Sequence, residues 1–192
     1  MVLASASPRR AGLLKMAGLE FDVSPPDIDE SRQPGEPPLD FVHRLAREKA
    51  LARTHPGRPV LAADTMVFIG DRVFDKPSGP EEAARHLRDL SGQTHNVVTA
   101  FCLAENGDVL SLSSVLSRVT FRRLTEREIA NYVATGEGLD KAGAYGLQGD
   151  GGFLIETIEG SHTNVIGLPM TEVLAVLNNF GRASFASEAL EI

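Results

Sequence analysis

The chain has 192 residues, of which 42% are hydrophobic and 23% charged, and its formal net charge at pH 7 is −7. These values predict a single globular domain with a substantial core. The negative charge and the lack of a long basic run argue against a protein that binds a nucleic-acid polymer. No apolar run has the length of a membrane span and no leader pattern is recognisable, so we expect no membrane association. The only cysteine, Cys102, lies in an apolar run and predicts a reduced, cytoplasmic protein.

The first helix is predicted to run from Pro8 to Gly18, after a short apolar strand. Ser7 is a good N-cap, proline suits the first helical position, and glycine suits the helix end. Arg9 and Arg10 lie in the first turn, where their charge opposes the helix dipole. A phosphate bound between these guanidinium groups and the helix N-terminus would explain their position. A solvent-facing arginine pair on an ordinary surface helix is the alternative.

A short strand is predicted over residues 19–23, and the acidic, proline-rich loop over residues 24–38 that follows it contains Glu30. Its acidic side chains are of the type that binds hard metals, but their spacing fits no calcium loop, so the residues alone favour a solvated linker. A helix is predicted over residues 39–54, with Lys49 on its apolar face. This lysine either extends its stem towards solvent or reaches into a cleft to meet an anion.

The most continuously apolar segment, residues 59–70, predicts a strand buried on both faces. Asp64 and Thr65 interrupt its middle. A buried carboxylate is unfavourable unless it is paired, hydrogen-bonded or bound to metal, so a functional role is favoured over a structural one. Lys76 follows in a tight turn before Pro77.

Regular elements are also predicted through the second half of the chain. The predicted helices cover residues 80–90, 125–135 and 169–180, and the predicted strands cover residues 72–74, 94–104, 109–122 and 153–158. Asn106-Gly107 predicts a hairpin, and Thr125 with Glu128 predicts a capping box. Residues 183–192 show no anchor and are predicted to be frayed.

A glycine-rich loop is predicted over residues 137–152, with Lys141, Tyr145 and Gln148 between its glycines. Glycines permit a ligand to approach the backbone closely, and the polar side chains supply convergent contacts. The spacing matches neither the dinucleotide-binding fingerprint nor the P-loop. A flexible surface loop is the alternative, although it would leave apolar side chains exposed.

Five motifs in this order resemble the Maf family of septum-formation-inhibitor-like proteins. They are residues 5–10 (SASPRR), 63–65 (ADT), 76–77 (KP), 140–149 (DKAGAYGLQG) and 160–169 (GSHTNVIGLP). The resemblance implies an α/β fold over residues 1–182, an elongated mixed β-sheet with flanking helices in two lobes around a deep cleft, related to the inosine-triphosphate pyrophosphatases. It also implies a cytoplasmic enzyme, often a homodimer, that hydrolyses the α–β phosphoanhydride of nucleoside triphosphates.

The branch of the family is implied by residues 147–149, which read LQG here and usually SEG in relatives acting on 7-methyl-GTP. The sequence therefore resembles the branch that hydrolyses dTTP and UTP. Gln148 has a donor and an acceptor for the N3–H and a carbonyl of uracil or thymine. Two alternatives stay open at this point: the same chemistry on another base, and a nucleotide-binding regulator of cell division without catalysis.

The resemblance also implies roles for individual residues. Asp64 matches the catalytic aspartate; it would either orient or deprotonate the attacking water or, with Glu30, hold the Mg²⁺ or Mn²⁺ that does so. The positions matching substrate specificity are Arg9, Thr65 and Gln148, and those matching polar residues of the cleft are Ser7, Arg10, Lys49, Lys76 and Asp140 or Lys141. The chain departs from the family pattern at Asp75, where glycine is common, and at His162, where an aromatic residue is common.

Overall fold

The computed structural model describes residues 1–52 and 55–182, and within them it has seven strands and six helices. The strands are β1 (Val2–Leu3), β2 (Asp22–Val23), β3 (Val60–Ile69), β4 (Arg72–Val73), β5 (Thr94–Glu105), β6 (Asp108–Phe121) and β7 (Ile155–Glu159). The helices are α1 (Pro8–Met16), α2 (Pro38–Leu51), α3 (Pro80–Leu90), α4 (Glu126–Ala134), α5 (His162–Ile166) and α6 (Met170–Asn179). Residues 183–192, predicted to be frayed, lie outside the described residues.

One mixed sheet organises the chain, in the order β2-β1-β3-β5-β6-β7, with β4 paired to β3. β1 runs parallel to both of its neighbours, whereas the remaining pairs are antiparallel. β5 and β6 form the predicted hairpin, with Asn106 and Gly107 both at positive φ. The predicted α/β class and mixed sheet with flanking helices are therefore confirmed.

The alternation of β3 separates two apolar clusters on opposite faces of the sheet. Ala62 and Met66 pack with α2 residues on one face, whereas Leu61 and Ala63 pack with residues of α1 and α6 on the other. Successive side chains of a strand point to opposite faces. The strand therefore directs Asp64 and Thr65 to different helices.

A third cluster fixes the far end of the sheet, where α3, α4 and the glycine-rich loop meet. Tyr145 of the loop packs edge-to-face on His95 and Phe121 of the sheet. The backbone N–H of Gly143 also donates to the carbonyl of Phe74 at 2.8 Å. The loop is thus attached to the core and not a free surface segment.

Several predicted element boundaries differ from the structure. β2 covers only part of the predicted segment 19–23, and β7 begins at Ile155 because residues 150–154 form a 3₁₀ turn. α5 was not predicted; its N-cap Ser161 accepts a hydrogen bond from the Asn164 backbone N–H. It has only five residues, too few for a periodic apolar pattern. No helix in the described part of the chain is long and apolar enough to cross a bilayer.

Candidate active site

A single cleft of about 600 Å³ brings together every side chain proposed for the site from the sequence. Its lining includes Ser7, Arg9, Arg10, Glu30, Lys49, Asp64, Thr65, Lys76, Asp140, Lys141 and Gln148. These residues come from α1, the acidic loop, α2, β3, the turn after β4 and the glycine-rich loop. The structure thus establishes their proximity, and their chemical roles stay predictions.

Lys49 joins two carboxylates that line the cleft. Its Nζ donates to Glu30 Oε2 at 2.7 Å and to Asp64 Oδ1 at 2.8 Å. Lys49 and Asp64 are both buried, whereas about half of the Glu30 side chain is exposed. The anion that Lys49 meets is therefore supplied by the protein, and the acidic loop reaches the cleft through Glu30.

The buried position of Asp64 changes its acidity. Burial raises the pKa of Asp64 above the usual value of an aspartate, because desolvation outweighs the opposing charges of Lys49 and Arg10. A carboxylate with a raised pKa is a stronger base than an exposed one. Its ion pair with Lys49 favours the ionised form that can accept a proton or a cation.

Arg10 is held by the protein through all three guanidinium nitrogens. Nε donates to the Gly167 carbonyl at 2.8 Å, Nη1 to Ser5 Oγ at 3.0 Å, and Nη2 to Thr65 Oγ1 at 3.1 Å. These bonds connect α1 to β3 and to the end of α5. Of the five N–H donors of a guanidinium, those not used here can still face an anion in the cleft.

Thr65 belongs to a buried chain of hydroxyl groups. Its Oγ1 lies 2.9 Å from Thr99 Oγ1, directly opposite on β5, and Thr99 donates to the Asn164 carbonyl at 3.0 Å. Because Thr99 uses its only hydrogen on Asn164, the hydroxyl hydrogen of Thr65 points to Thr99. Thr65 can therefore offer a ligand a hydrogen-bond acceptor and a methyl group, but no donor.

The N-terminus of α1 faces the same cleft. Ser7 caps the helix by accepting from the Arg10 backbone N–H, as predicted, although the distance of 3.4 Å is long. Arg9 Nη1 donates to Asp140 Oδ2 at 3.1 Å, which links the helix to the glycine-rich loop. Lys76 is exposed and forms no ion pair with any other described residue. The two arginines therefore hydrogen-bond to different parts of the protein, Arg9 to the glycine-rich loop and Arg10 to β3 and the end of α5, and a phosphate bound between them stays a prediction.

The glycine-rich loop supplies Lys141 and Gln148 to the lining of the cleft. Lys141 Nζ donates to Asp140 Oδ1 at 2.7 Å and to the Glu137 carbonyl. Gln148 is exposed, and its amide makes no hydrogen bond to any described residue. The amide therefore remains available to a ligand.

Some residues important for this geometry were not singled out from the sequence. Thr99 and Asn164 support Thr65, and Tyr132 and Glu137 support the glycine-rich loop. The strand register, which places Thr99 opposite Thr65, is the signal that would have found Thr99, whereas Asn164 stood in the motif of residues 160–169 without a role. Tyr132 resembled an ordinary core residue of an amphipathic helix, and nothing in its spacing distinguishes it.

Comparisons with known proteins agree with this architecture. The model of the family described as Maf-like protein matches residues 1–180. A dTTP/UTP pyrophosphatase from Anaeromyxobacter dehalogenans (strain 2CP-C) is 50% identical over 184 residues, covering 94% of each chain. A dTTP/UTP pyrophosphatase from Escherichia coli O157:H7 is 50% identical over 183 residues, covering 94% of this chain and 92% of the relative. A nucleoside triphosphate pyrophosphatase from Shigella flexneri is 49% identical with the same coverage.

Proposed function

Because this chain belongs to the Maf-like protein family, we propose that it is a hydrolase that cleaves the α–β phosphoanhydride of dTTP and UTP, releasing pyrophosphate and the nucleoside monophosphate. The observation that carries the proposal is the meeting of Asp64, Glu30 and Lys49 in the same cleft as Gln148. A buried carboxylate paired with a lysine and a free amide in the same cleft suit a triphosphate joined to a base.

The triphosphate is assigned to the cationic part of the cleft. Lys76 and Lys141 bring ammonium groups, and Arg9 brings a guanidinium, to the cleft that the N-terminus of α1 also lines. Helix N-termini and guanidinium groups both stabilise phosphate oxygens. Since phosphoryl transfer depends mainly on positioning and charge neutralisation, these groups account for most of the chemical assistance required.

Asp64 is assigned to the attacking water. Its carboxylate, made more basic by burial, orients the water and accepts a proton as the water attacks the α–β linkage. The new P–O bond replaces the bond to the bridging oxygen, which leaves with the pyrophosphate. Lys49 keeps Asp64 ionised before attack and lies close enough to share the charge that develops.

Asp64 and Glu30 are also the proposed ligands of a divalent cation, Mg²⁺ or Mn²⁺. Their carboxylates approach the same ammonium group, so their donor set suits a hard cation. Among the described residues no group of three or more histidine, cysteine or acidic side chains forms a closed metal site. Mg²⁺ does not need one, since it retains several waters and binds substrate phosphates. When bound, the cation would neutralise phosphate charge and lower the pKa of a bound water.

Gln148 is assigned to the base, with Thr65 and Arg9 as the other specificity positions. Its amide can accept from the N3–H of uracil or thymine and donate to an adjacent carbonyl. A site formed by such hydrogen bonds rejects bases that leave them unmade. The dTTP/UTP preference proposed here depends on this amide and on the two relatives named for that substrate pair.

Pyrophosphate release from a panel of triphosphates tests the proposal. The panel contains dTTP, UTP, CTP, GTP and 7-methyl-GTP, each with and without Mg²⁺ or Mn²⁺. We expect metal-dependent hydrolysis confined to dTTP and UTP. Turnover of 7-methyl-GTP instead would overturn the assigned base, and tight binding without turnover would indicate a regulator. Sedimentation velocity on the same preparation tests the predicted homodimer.

A further inference from the structure

The carboxylate of Glu137, just after α4, receives three hydrogen bonds. The backbone N–H of Asp150 donates to Oε2 at 2.9 Å, and that of Gly151 donates to Oε1 at 3.2 Å. The Tyr132 hydroxyl donates to Oε1 at 3.1 Å. One side chain thus holds the distal end of the glycine-rich loop.

Tyr132 extends this attachment to the other side of the loop. Its hydroxyl oxygen accepts from the backbone N–H of Gly146 at 3.2 Å, and its ring, which extends from α4, is buried in the core. Burial and the Glu137 carboxylate raise the pKa of Tyr132, so the hydroxyl keeps the hydrogen that it donates. The pair therefore binds the backbone on both sides of residues 147–149.

The glycines of the loop are required by how closely it approaches this pair. A Cβ at Gly149 would lie 2.6 Å from Glu137 Oε2, and φ there is +94°. A Cβ at Gly151 would lie 2.8 Å from the Tyr132 hydroxyl and 2.3 Å from the Gly146 carbonyl. Real side chains are not found at such distances, so the loop packs directly on the carboxylate and phenol.

Gln148 lies at the middle of the segment held in this way. Its side chain lines the cleft without a hydrogen bond to any of the described residues, so the backbone sets its position. An amide that is free to turn would read uracil in one orientation and cytosine in the other. Discrimination between uracil and cytosine therefore requires that the residues holding the loop fix the direction from which the Gln148 amide approaches the base.

We infer that Glu137, together with Tyr132, is a positioning residue for base recognition and acts through Gln148. The inference rests on the proposed function and deepens it, since it identifies what sets the base preference of the same cleft. Glu137 does not contact the substrate; it aligns the backbone that presents the amide to the pyrimidine edge.

The variant Glu137→Gln tests this inference with little change in shape. A glutamine has one acceptor oxygen and an NH₂ group, and the NH₂ group would face a backbone N–H that donates to the carboxylate. We expect the KM for UTP to rise about tenfold because binding of the base is weakened. The kcat should stay within about twofold of wild type because Asp64 and Lys49 are unchanged. The UTP-over-CTP ratio of kcat/KM should narrow by a similar factor.

The double variant Glu137→Gln/Gln148→Ala separates positioning from general damage. If Glu137 acts through Gln148, the double variant should have the same UTP-over-CTP ratio as Gln148→Ala alone. The matched control is Glu156→Gln, an exposed carboxylate on β7, which should behave as wild type. Tyr132→Phe removes only the hydroxyl and should shift KM in the same direction by less, which provides a second test if Glu137→Gln folds poorly.

Binding of UTP and CTP, measured by calorimetry in EDTA, keeps this test independent of turnover. Absence of hydrolysis by the wild type would overturn the proposed function. The ratio of the UTP and CTP binding affinities would still test the positioning role of Glu137. A wild-type ratio in a folded Glu137→Gln protein, or additive effects in the double variant, would overturn the positioning role alone.

Discussion

The hydrolytic end of the proposed site, meaning Asp64 and Lys49, and its base end, meaning Gln148, are constructed in different ways. At the hydrolytic end, Asp64 and Lys49 are side chains of a strand and a helix, and they contact each other directly. At the base end, Gln148 lies in a loop whose backbone is held by Glu137 and Tyr132. The first end is defined by side chains on regular elements, and the second by what supports an irregular backbone.

The two ends should therefore respond differently to substitution. A substitution at the hydrolytic end removes a reacting group and should affect kcat. A substitution at the base end alters the approach of an amide that makes contact before and during reaction, and it should affect KM and selectivity.

Replacing Asp64 by asparagine should break the hydrolytic end. The amide can neither accept the proton of water nor offer the charge that pairs with Lys49, so kcat for UTP should fall by roughly a thousandfold or more. Affinity for UTP, measured by calorimetry, should stay within about threefold of wild type. A variant with near-normal kcat would remove Asp64 from the mechanism.

Replacing Gln148 by alanine should affect only the base end. Loss of both amide hydrogen bonds should raise KM for UTP by about tenfold to a hundredfold and reduce discrimination against CTP. The rate of hydrolysis at saturation should change little. Steady-state kinetics with both nucleotides measures this, and a fall in kcat with unchanged KM would contradict the separation of the two ends.

His95 packs against Tyr145 of the glycine-rich loop, and its replacement should alter the pH dependence of stability. Its Nε2 lies 2.7 Å from the Tyr145 hydroxyl, and burial lowers the pKa of His95 to about 4. Between that value and the usual pKa of about 6.5, the unfolded chain binds a proton that the folded chain does not. Stability is therefore complete above pH 6.5 and falls as pH decreases towards 4, by up to about 1.4 kcal/mol per pH unit.

His95→Gln keeps a polar partner for Tyr145 and removes this titration. We expect the wild-type Tm to decrease more steeply than that of the variant when pH is lowered from 6.5 to 4.5. Parallel slopes in thermal unfolding would show that His95 is not the group responsible.

The smallest effect is expected at the start of α4, which carries Tyr132. Thr125 accepts from the Glu128 backbone N–H at 3.3 Å, and Glu128 Oε2 accepts from the Thr125 N–H at 2.8 Å. Thr125→Ala should lower the free energy of unfolding by about 1 kcal/mol through loss of the cap. Denaturant unfolding measures it, and kcat/KM should stay at the wild-type value because the helix is anchored by its core contacts.

The sequence predicted regular elements and motif residues better than the contacts among them. The apolar run around Asp64, the capping box and the hairpin were recognisable because each is a local pattern. The ion pairs of Lys49 join residues 15 and 19 positions apart, and no local pattern encodes that distance.

The short elements illustrate the same limit. α5 and the 3₁₀ turn at residues 150–154 are too brief to show a period, and both are fixed by tertiary contacts. The two adjacent arginines gave no sign of their partners within the protein, which are the Gly167 carbonyl for Arg10 and the Asp140 carboxylate for Arg9. The direction in which a helical side chain points depends on how the helix packs, and two neighbouring residues in a sequence do not reveal that packing.

The close packing of the glycine-rich loop also defines how the enzyme could be re-engineered. A Cβ at Gly149 would overlap the Glu137 carboxylate and one at Gly151 would overlap the Gly146 carbonyl, whereas Leu147 and Gln148 line the cleft. A combinatorial library restricted to these two positions would therefore vary the base contact while retaining a foldable scaffold. Randomising the glycines as well would mostly generate chains in which the loop no longer fits against the protein.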